Sequence, residues 1–164
     1  MKHCAFFLLV TMLTVCFQTC APIDDGWKPA SPPFQTDPVF YPYINDFEYY
    51  ARIDASFIPI RMNKLQPGTA GMCHKLHIGD VIVAVYIEIN KSTWENITEL
   101  QKNNLIFHEL GHCALNRGHT SLNNYVDMCP SSFMHEAILS DYCLQENYQK
   151  YLDEMFPGWR ANEI

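Results

Sequence analysis

His108-Glu109-Leu110-Gly111-His112 is preceded by Val81-Ile82-Val83-Ala84-Val85-Tyr86-Ile87-Glu88-Ile89 and followed by His119, and the fold is read from this stretch. The run 81–89 is nearly all β-branched or aromatic, which predicts a strand buried on both faces. Thr98 followed by Gln101 makes a capping box. Leu100, Ile106, Leu110 and Ala114 supply one apolar face, so a helix is expected to run to about Leu115. Asn116 or Gly118 can end it in a left-handed turn. On that helix His108 and His112 share a face, about one turn apart, and both imidazoles can reach a single ion. Glu109 then points at the space beside that ion.

Other elements fall around this pair. Tyr43, Phe47 and Tyr50 lie on one side of a predicted helix, Pro42–Arg52, with Ile44 and Ala51 beside them. Phe57 to Met62 predicts a short strand whose ladder Pro59 disturbs. Pro67-Gly68 and Gly71 mark a turn region. Met72 to His77 is an expected edge strand, and residues 120–135 look irregular. Trp94 is expected to pack the connection between strand and helix. Asp141 to Phe156 carries Tyr142, Leu144, Tyr148, Tyr151, Leu152 and Met155 at helical spacing, which predicts a closing helix with Tyr142 in the core.

The chain has 164 residues, 48% of them hydrophobic, enough for one domain with its own core. Its net charge of −7, with 18% charged residues and no basic cluster, argues against nucleic acid as a partner. Residues 1–20 are read as a signal peptide: Lys2 and His3 open it, and the apolar run Ala5 to Val15 is too short to span a bilayer. Phe17-Gln18-Thr19-Cys20-Ala21 is similar to a bacterial lipoprotein signal, in which Cys20 becomes a lipid anchor. Cleavage near Thr19 or Ala21 is the alternative, and either route exports the chain. Residues 21–37, rich in proline, read as a tether, and 38–164 as the domain. Cys73, Cys113, Cys129 and Cys143 remain, an even number that suggests two disulfides. Three pairings are open. Cys73–Cys113 with Cys129–Cys143 is preferred because its second bond closes a short local loop.

Catalytic zinc takes three protein ligands and keeps one position open. His108 and His112 supply two, within the HExxH pattern of zinc metallopeptidases. His119 and Glu136 compete for the third place. Residues 108–119 resemble the long zinc motif of the metzincin clan, HExxHxxGxxH. Leu115 stands at the clan's glycine position, Asn116 can make the same turn, and His119 falls one residue late. Ser131-Ser132-Phe133-Met134-His135 resembles the clan's methionine turn, with Met134 as a floor beneath the histidines. From Gly71 to Met134 the chain also resembles a small group of exported bacterial metallopeptidase-like proteins of that clan. The residues His135-Glu136-Ala137-Ile138-Leu139-Ser140-Asp141 instead resemble the gluzincin motif, which would make Glu136 the third ligand.

The metzincin resemblance implies an α/β (α+β) zincin. Its small twisted mixed sheet would carry an N-terminal helix, a zinc-binding active-site helix and a C-terminal helix. It further implies a monomeric Zn²⁺ endopeptidase with Glu109 as general base toward a zinc-activated water. The substrate would be a peptide or protein laid along the edge strand 72–77. Export would place the enzyme in a bacterial periplasm, at the outer membrane or cell surface, or in the medium. A non-catalytic zinc-binding surface lipoprotein is the rival reading from another class, and a structural domain with a fortuitous motif is a third. His74, His77 and His135 are expected at the surface or in support of the ligands.

Overall fold

The computed structural model describes residues 34–120, 125–126 and 128–159. The expected signal peptide and most of the tether lie outside these residues. A 3-10 turn, Pro38–Phe40, leads into α1, Tyr41–Ala51, which ends where Arg52 takes a left-handed conformation (φ 57°). β1 is Ile60–Asn63, β2 Gly71–Ile78 and β3 Val81–Asn90. A short helix α2, Lys91–Trp94, precedes α3, Glu99–Cys113. Two-residue strands β4, Tyr125–Val126, and β5, Cys129–Pro130, pair with each other before α4, Asp141–Met155. Helices around a small mixed sheet make this an α+β fold. Among the described residues no helix is long and apolar enough to cross a membrane.

The main sheet has the order β1-β3-β2. β1 runs parallel to β3, with Ile60 opposite Ile87, while β2 runs antiparallel to β3, with Cys73 opposite Ile87 and Gly71 opposite Ile89. Side chains alternate between the two faces of a strand. Ile60, Ile87 and Ile89 are fully buried in the core that α3 shares. The other face is closed by a polar cluster. Glu88 accepts from Arg61 and from Asn63 Nδ2 (2.8 Å), and His74 Nε2 lies 3.1 Å from it. Burial alone would raise the Glu88 carboxyl, but Arg61, Asn63 and His74 outweigh it and hold it below the usual range.

Several sequence expectations shift. The first strand starts at Ile60, not Phe57. Pro59 has no N–H to give and contributes only its carbonyl, which accepts from Ile87 N at 2.9 Å. β3 is buried on both faces only over Ile87–Asn90. Val81 and Ile82 are 56% and 47% exposed because the far end of the β2–β3 hairpin reaches past the helices. α3 stops at Cys113, two residues short of Leu115. Tyr142 is exposed, and α4 buries Leu144, Tyr151, Leu152 and Met155 instead. Residues 34–37, read as the end of the tether, are fastened to the domain. Asp37 N donates to the Ile60 carbonyl (2.8 Å), Asp37 Oδ2 accepts from Met62 N (2.7 Å), and Phe34 lies edge-on to Tyr86. Trp94 is buried as expected, against Phe40 and Tyr43.

The capping box forms as read: Gln101 N donates to Thr98 Oγ1 and Thr98 N to Gln101 Oε1. The preferred disulfides form too. Cys73–Cys113 ties β2 to the last residue of α3, and Cys129–Cys143 ties β5 to α4. Phe107, on α3, is the hub of the core. Its ring meets Phe47, Tyr50, Phe133 and Phe156, from α1, the 131–135 turn and the end of α4. Phe107→Ala is therefore expected to cost about 3–5 kcal/mol, read as a lowered midpoint in urea unfolding.

Candidate metal centre

α3 sets His108 and His112 one turn apart, and the chain reversal after it brings back a third ring. Ala114 caps the helix, Asn116 adopts the left-handed conformation (φ 53°), and Arg117 N donates to the Gly111 carbonyl at 2.9 Å. Asparagine tolerates this backbone better than most residues, so Asn116 makes the turn expected of it. Lys75 Nζ, from β2, donates to the Asn116 side chain (2.6 Å). Thr120 N then donates to the Met134 carbonyl at 2.9 Å, fastening the returning strand to the 131–135 turn. The result is a triangle of Nε2 atoms: His108 to His119 3.1 Å, and His112 to each of the others 3.0 Å.

The opposite ring nitrogens show what the triangle requires. His108 Nδ1 lies 2.9 Å from the Phe133 carbonyl, and His112 Nδ1 2.6 Å from the Arg117 carbonyl. A carbonyl only accepts, so both Nδ1 atoms carry the proton, and a neutral ring then presents its Nε2 lone pair. Burial pushes His108 down to about 4 and His112 below its ordinary value, which favours those neutral rings. The bare Nε2 atoms of His108 and His112, 3.0 Å apart, repel unless a cation or an N–H from His119 sits between them. An ion about 2.0–2.1 Å from each nitrogen suits that spacing. All-imidazole donors suit zinc and also copper, iron or nickel, so this cluster could hold a metal ion of that kind.

Met134 is fully buried beneath α3. A Cβ on Gly111 would lie 2.5 Å from Met134 Sδ and 2.8 Å from Met155 Cε. The glycine inside the motif is thus what lets methionine pack under the helix between the two ligand turns. Glu109 is only 4% exposed. Burial pushes its carboxyl up to about 8, partly offset by a bond from Cys73 N–H. A Cβ on Gly71 would come 2.6 Å from Glu109 Oε1, so the bare start of β2 is the cradle for this carboxylate.

The three histidines and Glu109 line one cavity of about 830 Å³, within the usual range for ligand sites. β2 residues Gly71, Cys73 and Lys75 form one wall, and residues 135–138 the other. Leu139 N donates to Asn104 Oδ1 (3.0 Å) and its carbonyl accepts from Gln101 Nε2 (3.1 Å), holding that second wall to α3. Glu136 is exposed on it, and its carboxylate is not among the converging ligand atoms. His135 is buried in the same wall, with Nδ1 accepting from Ala137 N at 3.2 Å. His74 is engaged with Glu88 and stacked on Tyr86, and His77 is exposed on β2. Gly71 was legible only as a turn marker, since nothing in the pattern shows that its missing side chain makes room for Glu109. Arg117 and Glu154, which pair with each other, carry no sequence signal.

Residues 40–129, more than half of the chain, match the family described as "Putative phage metallopeptidase", and the chain belongs to that family. The match takes in α1, the sheet, Glu109 and all three converging histidines, and stops before the 131–135 turn and α4. No curated protein and no solved structure matches the chain.

The two candidates for the third ligand separate in a metal-content measurement. After dialysis against excess zinc, His119→Ala is expected to have lost its stoichiometric ion and Glu136→Ala to keep it.

Proposed function

We propose that the protein is a zinc-dependent endopeptidase in which His108, His112 and His119 hold Zn²⁺ and Glu109 is the general base. The observation that carries this is the triangle of three Nε2 atoms, those of His108 and His112 proton-free, in one cavity with a buried carboxylate. Membership in a metallopeptidase family supports the reaction class. Zinc bound there would polarise the scissile carbonyl and acidify a water.

The chain's own groups supply the rest. Glu109 takes the proton of the attacking water and delivers it to the departing amine, and a carboxyl raised toward neutrality by burial suits both halves of that task. Burying an ionisable group costs stability unless it is paired, a cost that a catalytic role explains. Glu109 kept at 4% exposure therefore favours turnover over a purely zinc-binding surface lipoprotein. β2 is an edge strand along the cavity, so its outer main chain is available to pair with an extended peptide. Residues 135–138 face it and would close over the other side of the substrate.

The His119 return, the Asn116 turn and Met134 under Gly111 favour a metzincin-like arrangement over the gluzincin one, in which Met134 would have no place. Export is the matching setting. Two disulfides favour an oxidising compartment, and a lipidated Cys20 would hold the enzyme at a bacterial surface.

Glu109→Gln keeps the side chain's shape and removes the base. It is expected to retain zinc and lose about 10²–10⁴-fold in kcat, measured on a peptide library with a chelated control. Wild-type protein that holds zinc yet cleaves nothing would overturn the assignment. Gly71→Ala is expected to retain zinc as well, while the new methyl displaces the Glu109 carboxylate. A shift of that size is worth about 10²-fold in kcat, with KM nearly unchanged.

A further inference from the structure

We infer that Glu154, near the end of α4, is a positioning residue of the metal centre: it braces the two main-chain carbonyls that orient His108 and His112. The inference rests on the reading of the three histidines as metal ligands and adds a residue that touches none of them.

Each carboxylate oxygen of Glu154 holds a different loop. Oε1 pairs with the Arg117 guanidinium, whose Nη1 also reaches the Glu154 carbonyl at 3.4 Å. Oε2 accepts from Ser132 Oγ at 2.7 Å. The Arg117 carbonyl is the acceptor for His112 Nδ1. Ser132 is the neighbour of Phe133, whose carbonyl is the acceptor for His108 Nδ1. Ser132 Oγ accepts in turn from Met134 N at 2.9 Å, and the Ser132 carbonyl from His135 N at 3.2 Å, so the turn bearing Phe133 is pinned at both ends. One side chain therefore links the loop that steers one ligand ring to the turn that steers another.

The cluster is a poor device for stability alone. The side chains of Arg117 and Glu154 are 25% and 33% exposed, and ion pairs that water still reaches add modestly to folding, while the buried Ser132 hydroxyl contributes through its bond to Glu154. The partners that orient ligand imidazoles, by contrast, typically change metal affinity about 10–100-fold when removed. The effect of Glu154 should thus be larger in metal affinity than in the stability of the metal-free fold.

The test compares wild type with Glu154→Ala, Glu154→Gln and Ser132→Ala by chelator competition for Zn²⁺, by the visible absorption of the Co²⁺-loaded protein and by the thermal midpoint of the metal-free chain. Glu154→Ala is expected to bind Zn²⁺ about 10–100-fold more weakly, with displaced Co²⁺ bands and a metal-free midpoint only modestly lowered. Glu154→Gln, which can still accept from Ser132 but no longer neutralises Arg117, should lose less. Wild-type affinity and bands in Glu154→Ala would overturn the inference, and so would a fallen midpoint with unaltered metal binding. Should Glu154→Ala fail to fold, unaltered binding and bands in both Glu154→Gln and Ser132→Ala would overturn it equally. Wild type that binds neither ion removes the metal-centre reading itself, and the inference with it.

Discussion

Two main-chain carbonyls, on Phe133 and Arg117, decide what the centre of this protein can be. Each takes the proton-bearing nitrogen of an imidazole and leaves the other nitrogen bare. Without those acceptors the rings of His108 and His112 could flip or protonate, and their closeness to His119 would be an ordinary surface cluster. With them, the bare Nε2 atoms of His108 and His112 both face His119 Nε2, within 3.1 Å of it. The acceptors themselves come from segments that leave the helix, so the site exists only when the end of α3, the returning strand and the 131–135 turn are all in place.

Much of this was legible because it is local. The HExxH spacing, the capping box at Thr98 and Gln101 and the apolar face of α3 are each set within one or two helical turns, where side-chain type and spacing nearly determine the geometry. Asn116 could be read as a turn residue for the same reason, and the disulfide preference rested on the short loop from Cys129 to Cys143. What was not legible depends on distant partners. The exposure of Tyr142 is fixed by how α4 rolls onto α3, which helical spacing leaves undetermined. The solvation of Val81 and Ile82 follows from the length of the hairpin relative to the helices beneath it, and an apolar run looks the same whether or not anything covers it. Gly71 was invisible as a site residue because its contribution is an absence of atoms beside a carboxylate thirty-eight positions away.

β2 and α3 behave as one unit around the cavity. Gly71 receives the Glu109 side chain, Cys73 gives it a hydrogen bond and is covalently joined to Cys113, and Lys75 reaches over to Asn116 at the reversal after the helix. These residues alternate along the strand, so all three point to the helix side while Met72 and His74 point away. The wall proposed to receive substrate is thus bound to the helix that would carry the chemistry, and relative sliding of the two is opposed at three successive positions. The facing wall, 135–138, runs into Leu139, which is hydrogen-bonded to Asn104 and Gln101 of α3 and buried in the core, with Ile138 packed against it.

The first described residues sit on the far side of the sheet. Phe34 lies against Tyr86 with the Arg61 guanidinium over its ring, on the face that carries Glu88 and not on the one that borders the cavity. The described chain therefore begins on the face of the sheet opposite the cavity. The start of the described chain is thereby coupled, through the Arg61 guanidinium, to the Glu88 carboxylate behind the sheet.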